Sequence, residues 1–163
     1  MTTRRHMLLG AAASAAALAT GIFQRHATAA TETFEVSYTD AQWRARLSPQ
    51  QYAVLRQEAT EPPGSSPLNK EHRPGTFSCA GCSLPLFASS TKFDSGTGWP
   101  SFWKPLDNAV ATRKDRSYGM VRVEAHRRRC GGHLGHVFED GPPPTGLRYC
   151  MNGLALAFTP RPA

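Results

Sequence analysis

A cysteine near the end of the chain has the neighbours of a reactive thiol. Cys150 lies in the stretch LRYCMNG, with Arg148 two positions before it and Asn152 two positions after it. If this stretch is a β-strand, alternation places the three side chains on one face. A cationic neighbour lowers the pKa of a thiol and populates the nucleophilic thiolate. The favoured role of Cys150 is therefore that of a nucleophile, with a buried space-filler, a disulfide partner and a metal ligand as alternatives.

Three further cysteines predict a metal site. Cys79 and Cys82 form the C-x2-C pair of CAGC, a spacing at which one turn aims two thiolates at a single Zn²⁺. Cys130 is the candidate third ligand. A second C-x2-C pair would need a cysteine where Arg127 stands, so His126 is the remaining candidate for the fourth ligand. A reduced or disulfide-bonded pair without metal is the alternative to structural zinc, and no organic cofactor is expected.

Two histidines are candidates for proton transfer. His133 and His136 lie three positions apart in the glycine-rich segment GGHLGHVF. No carboxylate neighbours them at metal-site spacing. They are interpreted either as surface histidines of a turn or as acid/base and substrate-contacting groups of a pocket.

Aromatic residues are concentrated in the stretch GTGWPSFW. Trp99, Phe102 and Trp103 stand there beside glycine and proline. Core packing is one interpretation. The other is a pocket for a small apolar group, such as a methyl group or a thioether.

Short helices and strands must position these cysteine, histidine and aromatic side chains. The stretch SPQQYAVLRQEAT predicts a helix with Ser48 as N-cap, Pro49 at the first position and Gln51 completing a capping box. DAQWRARL predicts a shorter helix before it. From Thr76 onward the pattern changes to strands and turns, with YGMVRVEAH and AVATRKDRS as a hairpin and CMNGLALAF as a further alternating strand. The predicted fold is a mainly β, α+β domain of antiparallel strands with short N-terminal helices and a zinc-knuckle-like C-x2-C element.

The first residues have the three-part plan of an export signal. The pair Arg4–Arg5 precedes an apolar run, and Ala27-Thr28-Ala29 supplies an A-x-A cleavage site. Residues 1–29 are therefore predicted to be a twin-arginine-type signal peptide that is cleaved, which leaves residues 30–163 as the functional domain in the periplasm or another extracytoplasmic place. An uncleaved membrane anchor and a disordered basic tail are the alternatives.

Composition limits the remaining classes of protein. The chain has 163 residues, which predicts one domain, and its four cysteines are too few for a disulfide framework. Loss of residues 1–29 removes three arginines and no acidic residue, so the formal charge falls from +7 to +4. No nucleic-acid partner is expected at this mild charge, and a monomer is predicted.

Several long motifs in one order resemble the methionine-(R)-sulfoxide reductases of the B type. They span roughly residues 39–160 and read LSPQQYAVLRQEATEPP, CAGCSLPLF, TKFDSGTGWPSFWKP and CGGHLGHVFEDGPPPTGLRYCMN. The resemblance implies a β-rich fold of two antiparallel sheets with helices near the N-terminus. It also implies the reduction of the R epimer of methionine sulfoxide, free or within oxidised proteins, and hence protein repair.

The resemblance assigns roles to individual residues. Cys150 becomes the nucleophile that attacks the sulfoxide sulfur and is left as a sulfenic acid. His133 and His136 become the substrate-side histidines, with His136 protonating the departing oxygen. A thioredoxin-like or other thiol donor then reduces the cysteine. The implied substrate-binding residues are Trp99, Phe138, Arg148 and Asn152.

The chain departs from the family pattern at two positions. Many members carry a resolving cysteine where this chain has Thr97, so an external thiol, or another of the chain's cysteines, must regenerate Cys150. Zinc-binding members carry a cysteine where this chain has Arg127, so the site has three thiols, completed by His126 or water, or it is empty.

Two other classes of function compete with the reductase. One is an exported zinc-knuckle binding module without catalysis, which the basic run HRRRC favours. The other is a thiol-redox carrier that uses Cys79 and Cys82, which Pro85 and the absence of a βαβ pattern disfavour.

Overall fold

The computed structural model describes residues 33–162, so the predicted signal peptide at residues 1–29 lies outside the described part of the chain. Two helices and nine strands follow one another in this part. The helices are α1 (Asp40–Arg46) and α2 (Pro49–Gln57). The strands are β1 (Gly75–Cys79), β2 (Pro85–Ala88), β3 (Lys92–Phe93), β4 (Ser101–Phe102), β5 (Val110–Asp115), β6 (Arg122–Arg127), β7 (His133–Phe138), β8 (Arg148–Met151) and β9 (Leu156–Pro160).

Local sequence sets the start of α2, as predicted. The hydroxyl of Ser48 accepts from the backbone N–H of Gln51, whose side chain accepts from the backbone N–H of Ser48, both at 3.1 Å. This reciprocal pair satisfies two N–H groups that the first turn leaves unpaired. The helix buries Tyr52, Val54 and Leu55. Both predicted helices are confirmed.

The strands form two antiparallel sheets. The smaller sheet has the order β2-β1-β9 and the larger has the order β3-β4-β8-β7-β6-β5. This arrangement confirms the predicted fold class. The hairpin of β5 and β6 is also confirmed, with Asp115 opposite Arg122 at its turn end.

The core lies where the two sheets meet. Phe87 of the smaller sheet stacks on Phe102 of the larger one, with 4.2 Å between ring centroids. Phe77 packs against Phe102 edge to face at 4.9 Å. Leu134 and Met151 are fully buried on the same core. Phe102 is therefore a core residue, so only its neighbours in GTGWPSFW can belong to a pocket.

The prediction of one continuous strand over CMNGLALAF was wrong. The chain leaves the larger sheet after Met151, makes a 3₁₀ turn at Gly153–Ala155 and enters the smaller sheet as β9. The carboxylate of Glu61 accepts from the backbone N–H groups of Gly153 and Leu154 at 2.5 and 2.9 Å. These bonds satisfy backbone groups of the turn, which a sequence pattern alone does not reveal.

None of the helices in residues 33–162 is both long enough and apolar enough to span a bilayer.

Candidate active site

One row of side chains crosses the larger sheet and contains the predicted nucleophile. Cys150 of β8 is directly opposite Ser101 of β4 on one side and His136 of β7 on the other. His136 is in turn opposite Glu124 of β6, which is opposite Arg113 of β5. Directly opposed residues of antiparallel strands point to the same face. The five side chains therefore form a polar row on the face away from the aromatic core.

A β-bulge brings the second histidine to the same face. Gly135 is opposite Ala125 and His133 is opposite His126, so β7 has one more residue than β6 between these pairs. The extra residue shifts the alternation by one position. As a result His133 and His136, three positions apart, lie together with 5.4 Å between ring centroids. This excludes their interpretation as unrelated turn histidines.

Asp115 fixes the orientation and tautomer of His136. The Nε2 atom of His136 is 2.9 Å from Oδ2 of Asp115. Hydrogen bonds from Ser117 and from His136 hold the pKa of Asp115 well below its usual range, so this carboxylate accepts and His136 donates from Nε2. Burial lowers the pKa of His136, although Asp115 acts in the opposite direction. At neutral pH His136 is therefore an uncharged imidazole that can take up a proton at Nδ1.

Glu124 holds His133 in place, as Asp115 holds His136. Its carboxylate is 2.7 Å from Nδ1 of His133 and also pairs with Arg113. Burial alone would raise the pKa of Glu124, but the hydrogen bonds from His133 and Arg113 outweigh it and hold the pKa low. His133 is 3% exposed, and its Nε2 atom has no hydrogen-bond partner in the described part of the chain. A buried polar atom of this kind is suited to bind a ligand.

Cys150 is a half-buried thiol whose pKa is raised. Its Sγ atom lies 3.9 Å from the hydroxyl of Thr97. Burial raises the pKa of Cys150, while the Thr97 hydroxyl and the charge of Arg148 lower it by less. Arg148 thus lowers the pKa of Cys150, as expected, but burial raises that pKa by more. The free thiol form therefore dominates at neutral pH, and thiolate formation needs a proton acceptor.

Arg148 is held by a carboxylate and an aromatic ring. Its Nε and Nη2 atoms donate to the two carboxylate oxygens of Asp140 at 2.8 and 2.9 Å. Its guanidinium lies over the ring of Phe138, 4.4 Å from the centroid. Phe138 and Arg148 are directly opposite each other, one alternation step from the His136–Cys150 pair. The four residues therefore share one corner of the polar face.

Asn152 and Trp99 are tied together through Glu61. The side-chain oxygen of Asn152 accepts from the backbone N–H of Glu61 at 3.0 Å, and its amide donates to the carbonyl oxygen of Leu134 at 3.2 Å. The indole Nε1 of Trp99 donates to the carbonyl oxygen of Glu61 at 3.0 Å. Glu61 is 4% exposed. One buried residue thus fixes two of the side chains predicted to contact substrate.

Two clefts are lined by residues on or next to the strands that flank β8 in the sheet. One cleft of about 330 Å³ is bounded by Ala59, Thr60, Asp115, Arg122, His133 and His136, among others. A second cleft of about 340 Å³ is lined by Trp99 and by Gly96, Gly98 and Asp94 of the same loop. Trp99 lies just before β4, and the two histidines lie on β7. Cys150 is on β8, which is between β4 and β7 in the sheet.

The three other cysteines converge. The sulfur atoms of Cys79, Cys82 and Cys130 all lie within 4.8 Å of one another, and those of Cys79 and Cys130 are 4.0 Å apart. Tetrahedral Zn²⁺ with bonds of about 2.3 Å to sulfur needs thiolates about 3.8 Å apart. The donor set therefore fits three ligands of a zinc ion, as the C-x2-C spacing predicts.

The fourth ligand is not provided by His126. Within residues 33–162 the group of converging donors contains the three thiols and no His126 nitrogen. His126 is buried with its ring 6.2 Å from that of Phe34. Arg127 is 5% exposed, donates to the carbonyl oxygen of Ala109 and hydrogen bonds to Cys82. A guanidinium cannot ligate a metal, so a complete zinc site requires a donor from outside the described residues.

Sequence reasoning missed several acidic residues of the site. Alternation in RVEAH places Arg122 and Glu124 on one face, and this signal was available. The contacts of Glu61 with Asn152 and Gly153 join residues 91 and 92 positions apart, and no local pattern predicts such contacts. The other acidic residues that only the structure adds are Asp115 and Asp140.

A cysteine beside a carboxylate-bound histidine is an arrangement found in enzymes that use a thiol as nucleophile. Comparison with known proteins identifies the family within this class. The SelR domain model matches residues 47–160. The chain belongs to the methionine-R-sulfoxide reductase B family, which confirms the resemblance noted in the sequence.

Curated relatives cover most of the chain and nearly all of their own length. The peptide methionine sulfoxide reductase MsrB of Thiobacillus denitrificans is 57% identical over 124 residues, which are 76% of this chain and 94% of the relative. The MsrB of Pseudomonas putida is 53% identical over 128 residues, or 78% and 96% of the two chains. The MsrB of Agrobacterium fabrum is 51% identical over 127 residues, or 77% and 94%.

Proposed function

We propose that the protein is a peptide-methionine (R)-S-oxide reductase in which Cys150 reduces the R epimer of methionine sulfoxide to methionine. The observation that carries this proposal is the direct cross-strand pairing of Cys150 with His136. Family membership and the relatives named MsrB support the reaction type.

The first step is a proton transfer within the cross-strand pair. Nε2 of His136 donates to Asp115, so Nδ1 is the atom that accepts the thiol proton. The resulting Cys150 thiolate attacks the sulfoxide sulfur and forms an S–S bond, while protonated His136 delivers its proton to the sulfoxide oxygen. The hydroxyl group then moves to the sulfur of Cys150 as the S–S and S–O bonds to the methionine sulfur break. One proton thus serves both steps. The raised pKa of Cys150 and the lowered pKa of His136 keep the pair neutral in the free protein and make protonated His136 a stronger acid toward the sulfoxide oxygen.

The buried histidine supplies a contact for the sulfoxide oxygen. His133 has its Nδ1 atom bound to Glu124 and its Nε2 atom unpartnered. Trp99, held by Glu61, offers an aromatic surface for the methyl group of the substrate. Arg148 and Phe138 form the opposite boundary, and Asn152 fixes the backbone after Cys150. The oxygen and the methyl group of the sulfoxide must contact different walls of this site. Only one epimer at the sulfur can therefore bind.

Methionine leaves and Cys150 remains as a sulfenic acid, which thiols reduce. Thr97 stands at the position from which a resolving thiol would act and lies 3.9 Å from the sulfur. Its hydroxyl cannot form a disulfide. An external thiol, of the thioredoxin-like or another kind, therefore regenerates Cys150 through a mixed disulfide.

Zinc has a structural part in this proposal. Cys79, Cys82 and Cys130 would hold the ion and so join the β1–β2 turn to the segment before β7. Bound zinc supplies a cross-link between these segments and takes no part in the reaction.

The site of action is proposed to be outside the cytoplasm. The paired arginines, the apolar run and the A-x-A motif of residues 1–29 support export as a folded protein. The substrates would then be oxidised methionines of exported proteins. Sequencing the N-terminus of protein recovered from the periplasm tests this, and an unprocessed cytoplasmic chain would refute it.

The proposed reaction is tested with separated epimers. Protein comprising residues 30–163 is incubated with dabsylated methionine-R-sulfoxide or methionine-S-sulfoxide and dithiothreitol. We expect conversion of the R epimer alone, and its loss in Cys150→Ser. Conversion of neither epimer by the wild-type protein would refute the proposal.

A further inference from the structure

Three hydroxyl groups form a chain that ends at the sulfur of Cys150. The hydroxyl of Thr97 lies 3.9 Å from Sγ of Cys150. The hydroxyl of Ser95 lies 2.8 Å from that of Thr97, and the hydroxyl of Ser101 lies 2.8 Å from that of Ser95. Ser101 is fully buried. The last hydroxyl of the series is therefore fixed in the core, and Ser101 is also directly opposite Cys150.

The direction of the hydrogen bonds follows from the last acceptor. Ser101 donates to the carbonyl oxygen of Trp99 at 3.1 Å, and a carbonyl can only accept. Each hydroxyl has a single proton. Ser95 must then donate to Ser101, and Thr97 must donate to Ser95. The lone pairs of the Thr97 oxygen consequently face Cys150 and accept the S–H of the resting thiol, which turns to His136 before its proton is transferred.

Loss of the thiol proton requires only one of these bonds to reverse, and the Ser101 hydroxyl and the Arg148 guanidinium also hydrogen bond to the sulfur of Cys150. A thiolate can only accept, so the hydroxyl of Thr97 turns and donates to it. Ser95 continues to donate to Ser101, and it continues to accept from the backbone N–H of Thr97 at 3.4 Å. A hydrogen bond to an ionised acceptor is stronger than a neutral one, so the turned state favours the thiolate.

We propose that Thr97 is a further catalytic residue, whose hydroxyl accepts from the resting Cys150 thiol, donates to the thiolate, and donates to the oxygen of the sulfenic acid. Ser95 and Ser101 are positioning residues that hold this hydroxyl. The last of the three roles rests on the proposed function, whereas the first two concern the free protein.

Atoms and electrons balance with Thr97 as a hydrogen-bonding group only. The S–O bond of the sulfoxide breaks, an S–O bond forms on Cys150, and two electrons pass from Cys150 to the sulfoxide sulfur. The Cys150 S–H proton, carried by His136, ends on the transferred oxygen. A first thiol then forms a mixed disulfide with Cys150 and releases water, and a second thiol liberates Cys150 and a disulfide. The Thr97 hydroxyl assists departure of the oxygen as water.

The experiment measures the ionisation of Cys150 without substrate. The rate of alkylation by iodoacetamide is followed against pH, with mass spectrometry of the peptide that contains Cys150. Thr97→Val removes the hydroxyl at equal size, Thr97→Ser retains it, and Ser95→Ala removes the acceptor that competes for its proton. Thermal unfolding checks that each variant is folded.

We expect the midpoint of the Thr97→Val profile to rise by at least about one pH unit, because a charge-assisted hydrogen bond is lost. Thr97→Ser should match the wild type, and Ser95→Ala should move the midpoint downward. A Thr97→Val profile that superposes on the wild type, or a Ser95→Ala midpoint that rises or stays, overturns the proposal. If Thr97→Val does not fold, Ser95→Ala decides. No sulfoxide is present in this experiment, so its outcome does not depend on the epimer assay. Failure of the epimer assay would refute the proposed function and leave the first two roles of Thr97 untouched.

Discussion

Cys150 and His136 are opposite each other on adjacent antiparallel strands, so both side chains leave the sheet on the same face. Main-chain hydrogen bonds of β7 and β8 hold this relationship. The proposed nucleophile and its proposed proton acceptor are therefore positioned by the sheet itself. Asp115 and Thr97 then orient the two reacting groups from either side.

The pH dependence of the reaction should show a wide plateau. Burial lowers the pKa of His136 from 6.5 and raises the pKa of Cys150 from 9.0. The proposed reaction requires neutral His136 and a protonated thiol in the free enzyme. We expect kcat/KM to fall only below about pH 6.5 and above about pH 9. His136→Asn should lose the acidic limb and reduce kcat by about 10²–10⁴-fold. If the acidic limb is unchanged in His136→Asn, that limb reports the titration of another group.

Glu61 should matter for stability and for substrate binding. Its carboxylate accepts from two buried backbone N–H groups, and its backbone holds Trp99 and Asn152. Glu61→Gln should lower the free energy of unfolding by about 2 kcal/mol and raise KM. Urea denaturation and steady-state kinetics measure the two effects.

Glu58→Gln is the matched control for Glu61→Gln. The side chain of Glu58 is 57% exposed and pairs with Arg113 at the surface, so its loss should cost less than about 1 kcal/mol. Equal effects of the two substitutions would show that the buried contacts of Glu61 contribute no more to stability than the surface ion pair of Glu58.

A thiol at position 97 should change how Cys150 is regenerated. The Thr97 oxygen lies 3.9 Å from Sγ of Cys150, and a disulfide needs about 2.05 Å between sulfurs, which a small shift of the loop achieves. After one turnover without reductant, Thr97→Cys should contain a disulfide between the two positions. Peptide mapping under non-reducing conditions detects it. Ser95→Cys, one hydroxyl farther along the chain, should form none, and a disulfide in that control would refute the inferred geometry.

Completing the sulfur site should strengthen metal binding. Arg127→Cys replaces the guanidinium beside Cys82 with a fourth thiolate. We expect one zinc per chain that resists EDTA and a higher melting temperature, while the wild type loses its metal to EDTA. Arg128→Cys, the exposed neighbour, serves as control. Tightly bound zinc in the wild type, with no gain in stability for Arg127→Cys, would contradict this account.

Local patterns predicted the elements and their chemistry better than their arrangement. The capping box of Ser48 and the alternation of RVEAH depend on neighbours in sequence, and both predictions were confirmed. The bulge in β7 and the turn at Gly153 depend on contacts with distant segments. Alternation therefore placed Arg148 and Cys150 correctly but extended the strand too far. The balance of burial and charge at Cys150 likewise depends on tertiary packing, which the sequence does not display.

The most direct test of the central claim is a single turnover without reductant. Protein comprising residues 30–163 is mixed with excess methionine-R-sulfoxide, and methionine is quantified beside dimedone labelling of Cys150. We expect one equivalent of methionine per chain, a dimedone adduct on the Cys150 peptide, and neither product in Cys150→Ser. Methionine formation by Cys150→Ser, or a stoichiometric burst with the adduct on another cysteine, would contradict the assignment of Cys150 as the nucleophile.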